Sequence, residues 1–226
     1  MEEYAVIVAG GSGTRMKSKL PKQFIEVGSL PILMHTINQF RKYAQSIQII
    51  LVLPENQFDI WSQLCQKFQF SVTNLVLVKG GQTRYQSCKN GIEYISNSNS
   101  LVAIHDGVRP FVSIQIIANG YRLAKENGAA VCCVPSKDSV RYVSENGESN
   151  QALDRTRIKV VQTPQVFKID ILKKAYSFPE LSTFTDDASV VEHSQQPIFL
   201  FDGDYTNIKI TTDEDLILAE MILKSN

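Results

Sequence analysis

AVIVAGGSGTRMKSKLPKQF, residues Ala5 to Phe24, is the stretch whose reading decides the fold of this 226-residue chain. Ala5-Val6-Ile7-Val8-Ala9 is an apolar run rich in β-branched residues, suited to a strand buried on both faces. It stops at Gly10-Gly11-Ser12-Gly13, where glycine permits positive φ and lets the backbone come close to a ligand. Amides at such a bend can converge on an anion. Arg15 follows, and Lys22 stands seven positions further on in Pro21-Lys22-Gln23. Two cations beside a glycine turn at a strand end suggest a triphosphate site, although the glycines alone fit an ordinary turn flanked by solvated basic residues equally well.

Two familiar nucleotide motifs fail on this stretch. A P-loop, GxxxxGK[ST], counted from Gly10 puts its second glycine and its lysine on Arg15 and Met16. Counted from Gly11 it finds Lys17 and Ser18 in place but Met16 at the glycine position. The dinucleotide fingerprint GxGxxG begins at Gly11-Ser12-Gly13 and also meets Met16 where its third glycine belongs.

Outward from the first strand, the chain alternates. Pro31 opens a helix carrying Leu33, Ile37, Phe40 and Ala44 at helical spacing, and Ile47 to Leu53 reads as the second strand. Phe58 to Phe68 is helical with Ile60, Leu64 and Phe68 on one face, and Leu75 to Val78 is the third strand. Thr83 to Ile95 is a helix with Tyr85, Cys88, Ile92 and Ile95 toward the core, while Arg84, Ser87 and Gly91 share a neighbouring face. Leu101 to His105 is a further strand, Ser113 to Asn127 a helix and Ala129 to Val134 a strand. This alternation predicts an α/β fold, a Rossmann-like, mostly parallel sheet flanked by helices, with ligands at the carboxyl ends of the strands. At this length one domain spanning residues 1–226 is expected.

The remainder is less regular. Residues 135–159 are polar and too long for an ordinary connection, so they are expected to project, with Val140 to Val143 pairing with Arg157 to Val161 as a hairpin. Lys168 to Tyr176 and the run from Thr185 are helical, Thr185 being the expected cap. Ile198 to Phe201 and Asn207 to Thr211 read as strands, and Thr212 opens the last helix. Asp202-Gly203-Asp204 reads as an acidic turn rather than a metal site.

Twenty-three basic residues balance twenty-three acidic ones, which argues against nucleic acid or an anionic membrane as partner. No apolar run approaches the roughly 20 residues that cross a bilayer. Met1-Glu2-Glu3-Tyr4 leads straight into the first strand without a signal-peptide pattern, so a cytoplasmic protein is expected. Cys65, Cys88, Cys132 and Cys133 form no CxxC pair and read as packing thiols. His35, His105 and His193 form no HExxH pattern.

One signature does fit: GGxGTRM followed by PKQ. Together with Gly81-Gln82-Thr83-Arg84-Tyr85-Gln86-Ser87, His105-Asp106-Gly107-Val108-Arg109-Pro110, Asp154-Arg155-Thr156, Thr163-Pro164-Gln165, Thr185-Asp186-Asp187-Ala188-Ser189 and Asn207-Ile208-Lys209, it resembles the 2-C-methyl-D-erythritol 4-phosphate cytidylyltransferases, enzymes of non-mevalonate isoprenoid synthesis. The resemblance implies a nucleotidyltransferase fold with CTP and a polyol phosphate as substrates. Arg15 and Lys22 become the catalytic cations. Ala9, Gly10, Gly11, Gly13, Gly81, Gln82, Arg84, Ser87 and Asp106 become nucleotide contacts, Gln82 standing where some members carry Asp. Gly107, Arg109, Arg155, Thr163, Thr185 and Lys209 become contacts of the second substrate. The resemblance further implies Mg²⁺ (or another divalent cation) near Asp106 and a homodimer in which the 135–160 arm reaches the neighbouring active site. His105 belongs to its motif structurally rather than as an acid–base group. A ribitol-5-phosphate cytidylyltransferase shares this chemistry, and a non-catalytic nucleotide-binding module could share the fold.

Overall fold

The computed structural model describes residues 1–10 and 20–225. Its centre is a seven-stranded sheet built on β1 (Glu2–Val8), which pairs in parallel with β4 (Gln48–Leu53) on one side and β6 (Ser100–Asp106) on the other. β5 (Leu75–Lys79) extends the sheet beyond β4. On the other flank come β10 (Lys159–Lys168), β7 (Ala129–Pro135) and β11 (Phe199–Asp202). Only β10 runs antiparallel to its neighbours, so the sheet is mostly parallel, as expected.

Both faces are covered, which is why the central strands are apolar without alternation. On one face, α1 (Ile32–Tyr43), α2 (Phe58–Lys67) and α4 (Ile114–Asn127) pack on Ala5, Ile7, Ile49, Leu51 and Ala103. On the other, α3 (Arg84–Glu93), α5 (Ile169–Ala175) and α6 (Asp187–His193) cover Val6, Val8, Ile50, Val52 and Ile104. Two short pairs, β2 (Glu26–Val27) with β3 (Leu30–Pro31) and β8 (Val140–Val143) with β9 (Asn150–Leu153), lie outside the main sheet, and α7 (Asp213–Ser225) closes the described chain. No helix among the described residues is long and apolar enough to cross a membrane.

Several local expectations need correction. Val140–Val143 pairs with Asn150–Leu153 rather than with Arg157 to Val161, because the Glu145-Asn146-Gly147 turn closes the hairpin locally, Gly147 N–H donating to Ser144 O at 2.8 Å. Residues 159–161 instead begin β10, with Lys159 opposite Pro135. The cap of α6 is Asp186, not Thr185: its side chain accepts from Ser189 N–H while the Ser189 hydroxyl accepts from Asp186 N–H. Asn207 to Thr211 is an irregular extended segment, tied to the sheet's end by Ile210 N–H donating to Val108 O at 2.9 Å. On α2 the buried side chain is Trp61, whereas Ile60, Leu64 and Phe68 are only partly covered. Gly91 faces the sheet and not the site, and a Cβ there would stand 2.6 Å from Val6 Cγ1, so α3 can lie this close only at glycine.

Candidate active site

The carboxyl ends of β1, β4, β5 and β6 meet at one edge of the sheet. Val8 sits opposite both Val52 and Asp106, so Ala9 and Gly10 emerge beside Asp106. Two clefts open there. The first, about 270 Å³, is lined by Ala9, Gly10, Lys22, Gly81, Gln82, Arg84, Ser87, Asp106 and Lys209, among others. The second, about 300 Å³, is lined by Arg84, Asp106, Arg109, Gln162, Thr163, Thr185, Asp186 and Lys209, among others. Arg84, Asp106 and Lys209 belong to both, so the two clefts share a wall. Gly11, Gly13 and Arg15 lie outside the described residues.

Each wall has a local cause. Lys22 lies in a short 3₁₀ turn, Lys22–Phe24, whose next residue is anchored twice: Gln23 Nε2 donates to Ala9 O at 2.8 Å and to Gln57 Oε1 at 2.6 Å. Thr83 caps α3 by accepting from Gln86 N–H. The Ser87 hydroxyl donates to Thr83 O at 2.9 Å and accepts from Gly81 N–H at 3.1 Å, which folds the Gly81 turn onto the helix. A Cβ on Gly81 would lie 2.3 Å from Gln86 Cβ, so this turn also requires glycine.

Asp106 is the electrostatic centre. Its Oδ2 lies 3.0 Å from Lys209 Nζ and 3.2 Å from Arg109 Nε, and its Oδ1 lies 3.8 Å from Arg84 Nε. Burial pushes its carboxyl upward, but Lys209, Arg84 and Arg109 prevail and hold it well below the usual carboxylate range. Arg109 also donates to Asn207 O at 2.8 Å, and Asn207 Nδ2 donates to Thr163 O at 2.8 Å. These bonds carry the irregular segment across the sheet end and place Lys209 over Asp106. The Thr163 hydroxyl accepts from Asp106 N–H at 3.1 Å.

Not every expected contact lies in the clefts. Gly107 is a backbone junction, its N–H on Val8 O and its carbonyl accepting from the Thr36 hydroxyl, and it lines neither cleft. Arg155 sits on an exposed turn, donates to Lys137 O at 2.9 Å, and also lines neither. Sequence reading missed Asp187, which is fully buried and bonded to Arg84 at 2.6 Å. Asp186 and Asp187 both read as acids near a helix start, and nothing in their spacing says which of them faces inward.

His105 is fully buried, its Nε2 within 3.2 Å of Arg109 O and its ring edge-on to Phe40 at 5.1 Å. Burial pushes its pKa down to about 4, so the imidazole packs in the core in its neutral form at pH 7. Below pH 6.5 the unfolded chain takes up this proton while the native imidazole refuses it until about 4. Its contribution to stability therefore falls as pH drops through that window, by about 3 kcal/mol in all. Denaturant unfolding between pH 7 and pH 4 should show a steeper loss for the native sequence than for His105→Asn. Parallel curves would contradict the assignment.

A mostly parallel sheet with cations gathered around Asp106 at the carboxyl end of its central strands is the arrangement of the α/β nucleotidyltransferases, and the chain falls in that class. The model of the 2-C-methyl-D-erythritol 4-phosphate cytidylyltransferase family matches residues 4–225, and the chain belongs to this family. It is 47% identical over 223 residues to the 2-C-methyl-D-erythritol 4-phosphate cytidylyltransferase of Bacteroides thetaiotaomicron, covering 99% of this chain and 100% of that one. It is 45% identical over 225 residues to the Porphyromonas gingivalis protein of the same name, with 99% of each covered. Among solved structures, the 4-diphosphocytidyl-2C-methyl-D-erythritol synthase of Anaerococcus prevotii superposes with a TM-score of 0.85 at 30% identity, over 99% of this chain and 96% of that one.

Proposed function

We propose that the chain transfers the cytidylyl group of CTP to 2-C-methyl-D-erythritol 4-phosphate, giving 4-diphosphocytidyl-2-C-methyl-D-erythritol and pyrophosphate. The observation that carries this reading is the pair of clefts sharing Arg84, Asp106 and Lys209, which suits two phosphate-bearing substrates meeting at one point. The family match over residues 4–225 supports the identity of those substrates. CTP takes the first cleft, its base and ribose against Gly81, Gln82, Arg84 and Ser87 and its phosphates toward Ala9, Gly10 and Lys22. The second substrate takes the other cleft, its phosphate held by Lys209, Thr185 and Thr163, with Arg109 fixing the wall.

A non-ester oxygen of that phosphate attacks the α-phosphorus, the α–β bridging bond breaks, and pyrophosphate departs. The nucleophile is already ionised, so no covalent enzyme intermediate is required. Catalysis is positioning plus stabilisation of charge on the phosphates. Lys22, with Arg15 beyond the described residues, supplies that stabilisation. Asp106 is the one carboxylate that lines both clefts, and no group of three or more His, Cys, Asp or Glu suited to a metal occurs among the described residues. That donor set fits a Mg²⁺ shared with substrate phosphates better than a cation held by protein alone. When bound there, Mg²⁺ neutralises phosphate charge and helps orient the triphosphate.

We also propose a homodimer in the cytoplasm, formed through the 135–160 arm. Tyr142, Val143 and Leu153 are apolar and exposed on that arm, and Arg155 lines neither cleft of its own chain.

Methylerythritol phosphate and ribitol phosphate both present a phosphate, so selection falls on the wall around the carbon chain. The Thr185-Asp186-Asp187-Ala188-Ser189 run supports the branched substrate. With CTP saturating, kcat/KM should favour methylerythritol phosphate over ribitol 5-phosphate by at least ~100-fold. A preference for ribitol phosphate would overturn the substrate assignment and leave cytidylyl transfer standing.

A further inference from the structure

Asp187 lines neither cleft, yet it holds the one arginine that reaches from α3 into both. Its Oδ2 accepts from Arg84 Nη2 at 2.6 Å, and its Oδ1 accepts from the Tyr176 hydroxyl at 2.6 Å. Asp187 and Tyr176 are each anchored by further contacts. Asp187 opens α6 behind the Asp186–Ser189 capping box, and the next residue, Ala188, donates its N–H to Gln165 Oε1 at 2.8 Å. Tyr176 stacks on Tyr85 at 4.7 Å between ring centroids, and its carbonyl accepts from the Tyr85 hydroxyl at 3.2 Å. Tyr85 adjoins Arg84 on α3, so the same contact that places Tyr176 also registers the helix carrying the arginine.

A guanidinium is a rigid planar fork, and seizing one nitrogen fixes the direction of the others. Asp106 offers the competing attraction. It already receives Lys209 and Arg109, and Arg84 Nε stands 3.8 Å away, beyond a hydrogen bond. Without a second carboxylate, Arg84 would close that gap, spend its N–H groups on Asp106 instead of the nucleotide and add a third direct cation there.

We propose that Asp187, braced by Tyr176, is a positioning residue for CTP: it holds Arg84 back from Asp106 so that its remaining N–H groups face the nucleotide. The role of Arg84 toward CTP rests on the function proposed above. Asp187→Asn removes the charge that holds the fork. Tyr176→Phe removes one hydroxyl and leaves the ring stack, so it tests the brace with little risk to folding.

The CTP KM should rise about 10- to 30-fold in Asp187→Asn and about 3- to 5-fold in Tyr176→Phe, with smaller changes in kcat. In an Arg84→Met background neither substitution should raise it by more than about twofold, because the group they act through is gone. Penalties that persist in that background, or losses confined to kcat, would overturn the proposal. Exchange of the Arg84 Nη–H groups, one of which donates to Asp187, followed by side-chain ¹⁵N NMR without substrate, needs no turnover and should quicken about tenfold in both variants. Unchanged exchange overturns the brace. Faster exchange in the variants of a chain that transfers no cytidylyl group keeps the brace and overturns the function instead.

Discussion

Lys22→Ala should lower turnover by about two to three orders of magnitude, the scale for losing one preorganised charge-stabilising donor. Its side chain lines the nucleotide cleft and is 8% exposed. The turn that carries it is held by its neighbours: Gln23 bonds to Ala9 and Gln57, and Phe24 is buried against Trp61 at 6.5 Å between centroids. The substitution should therefore leave the thermal unfolding midpoint nearly unchanged. Arg15→Ala is expected to lose a similar factor. Steady-state kcat beside a melting curve checks both, and full activity in either variant would remove that residue from catalysis.

Excising residues 137–157 should abolish transfer while sparing the nucleotide cleft. The arm leaves the sheet through a closed base, where Ser136 N–H donates to Ile158 O at 3.1 Å and Lys159 pairs with Pro135. A short glycine linker across that base leaves β7 and β10 intact. The excised protein should sediment as a monomer, bind CTP, and lose transfer by at least about 100-fold. If Arg155 completes the other subunit's site, mixing inactive Lys22→Ala and Arg155→Ala chains should restore activity. Half the mixed population is heterodimeric, with one native site in two, so about a quarter of the native rate is expected. An excised protein that stays dimeric and active, or mixing without rescue, would refute the role of the arm.

The sheet was legible because its central strands carry their own label. Ala5 to Ala9 and Ile47 to Leu53 are apolar without alternation, as only strands covered on both faces can be, and Gly10, directly after the first, lines the nucleotide cleft. Strand pairing on the other flank was not legible. Val140–Val143 could meet either of two segments, and the choice lay in the turn at residues 145–147 and in the distant edge of β7, which periodicity does not report. Trp61 was hidden differently: three apolar residues, Ile60, Leu64 and Phe68, make a plausible helical face, yet the helix turns its tryptophan to the core.

The site divides the same way. Residues embedded in contiguous motifs, such as Gly81, Ser87, Asp106, Thr163 and Lys209, come together in space as the signatures imply. Asp187 escaped because its meaning depends on residues 103 and 11 positions away, Arg84 and Tyr176, and a buried carboxylate looks like its half-buried neighbour in sequence. Arg155 remains the reverse case, a motif residue whose own chain offers it no cleft.

Isotope labelling tests cytidylyl transfer most directly. Methylerythritol 4-phosphate carrying ¹⁸O at its three non-ester phosphate oxygens is incubated with unlabelled CTP and the enzyme, and the products are read by ³¹P NMR and mass spectrometry. Attack by that phosphate on the α-phosphorus predicts a diphosphate diester retaining all three labels, one of them in the P–O–P bridge, together with unlabelled pyrophosphate in equal amount. Label appearing in pyrophosphate, or release of CMP without the diester, would contradict the proposed reaction.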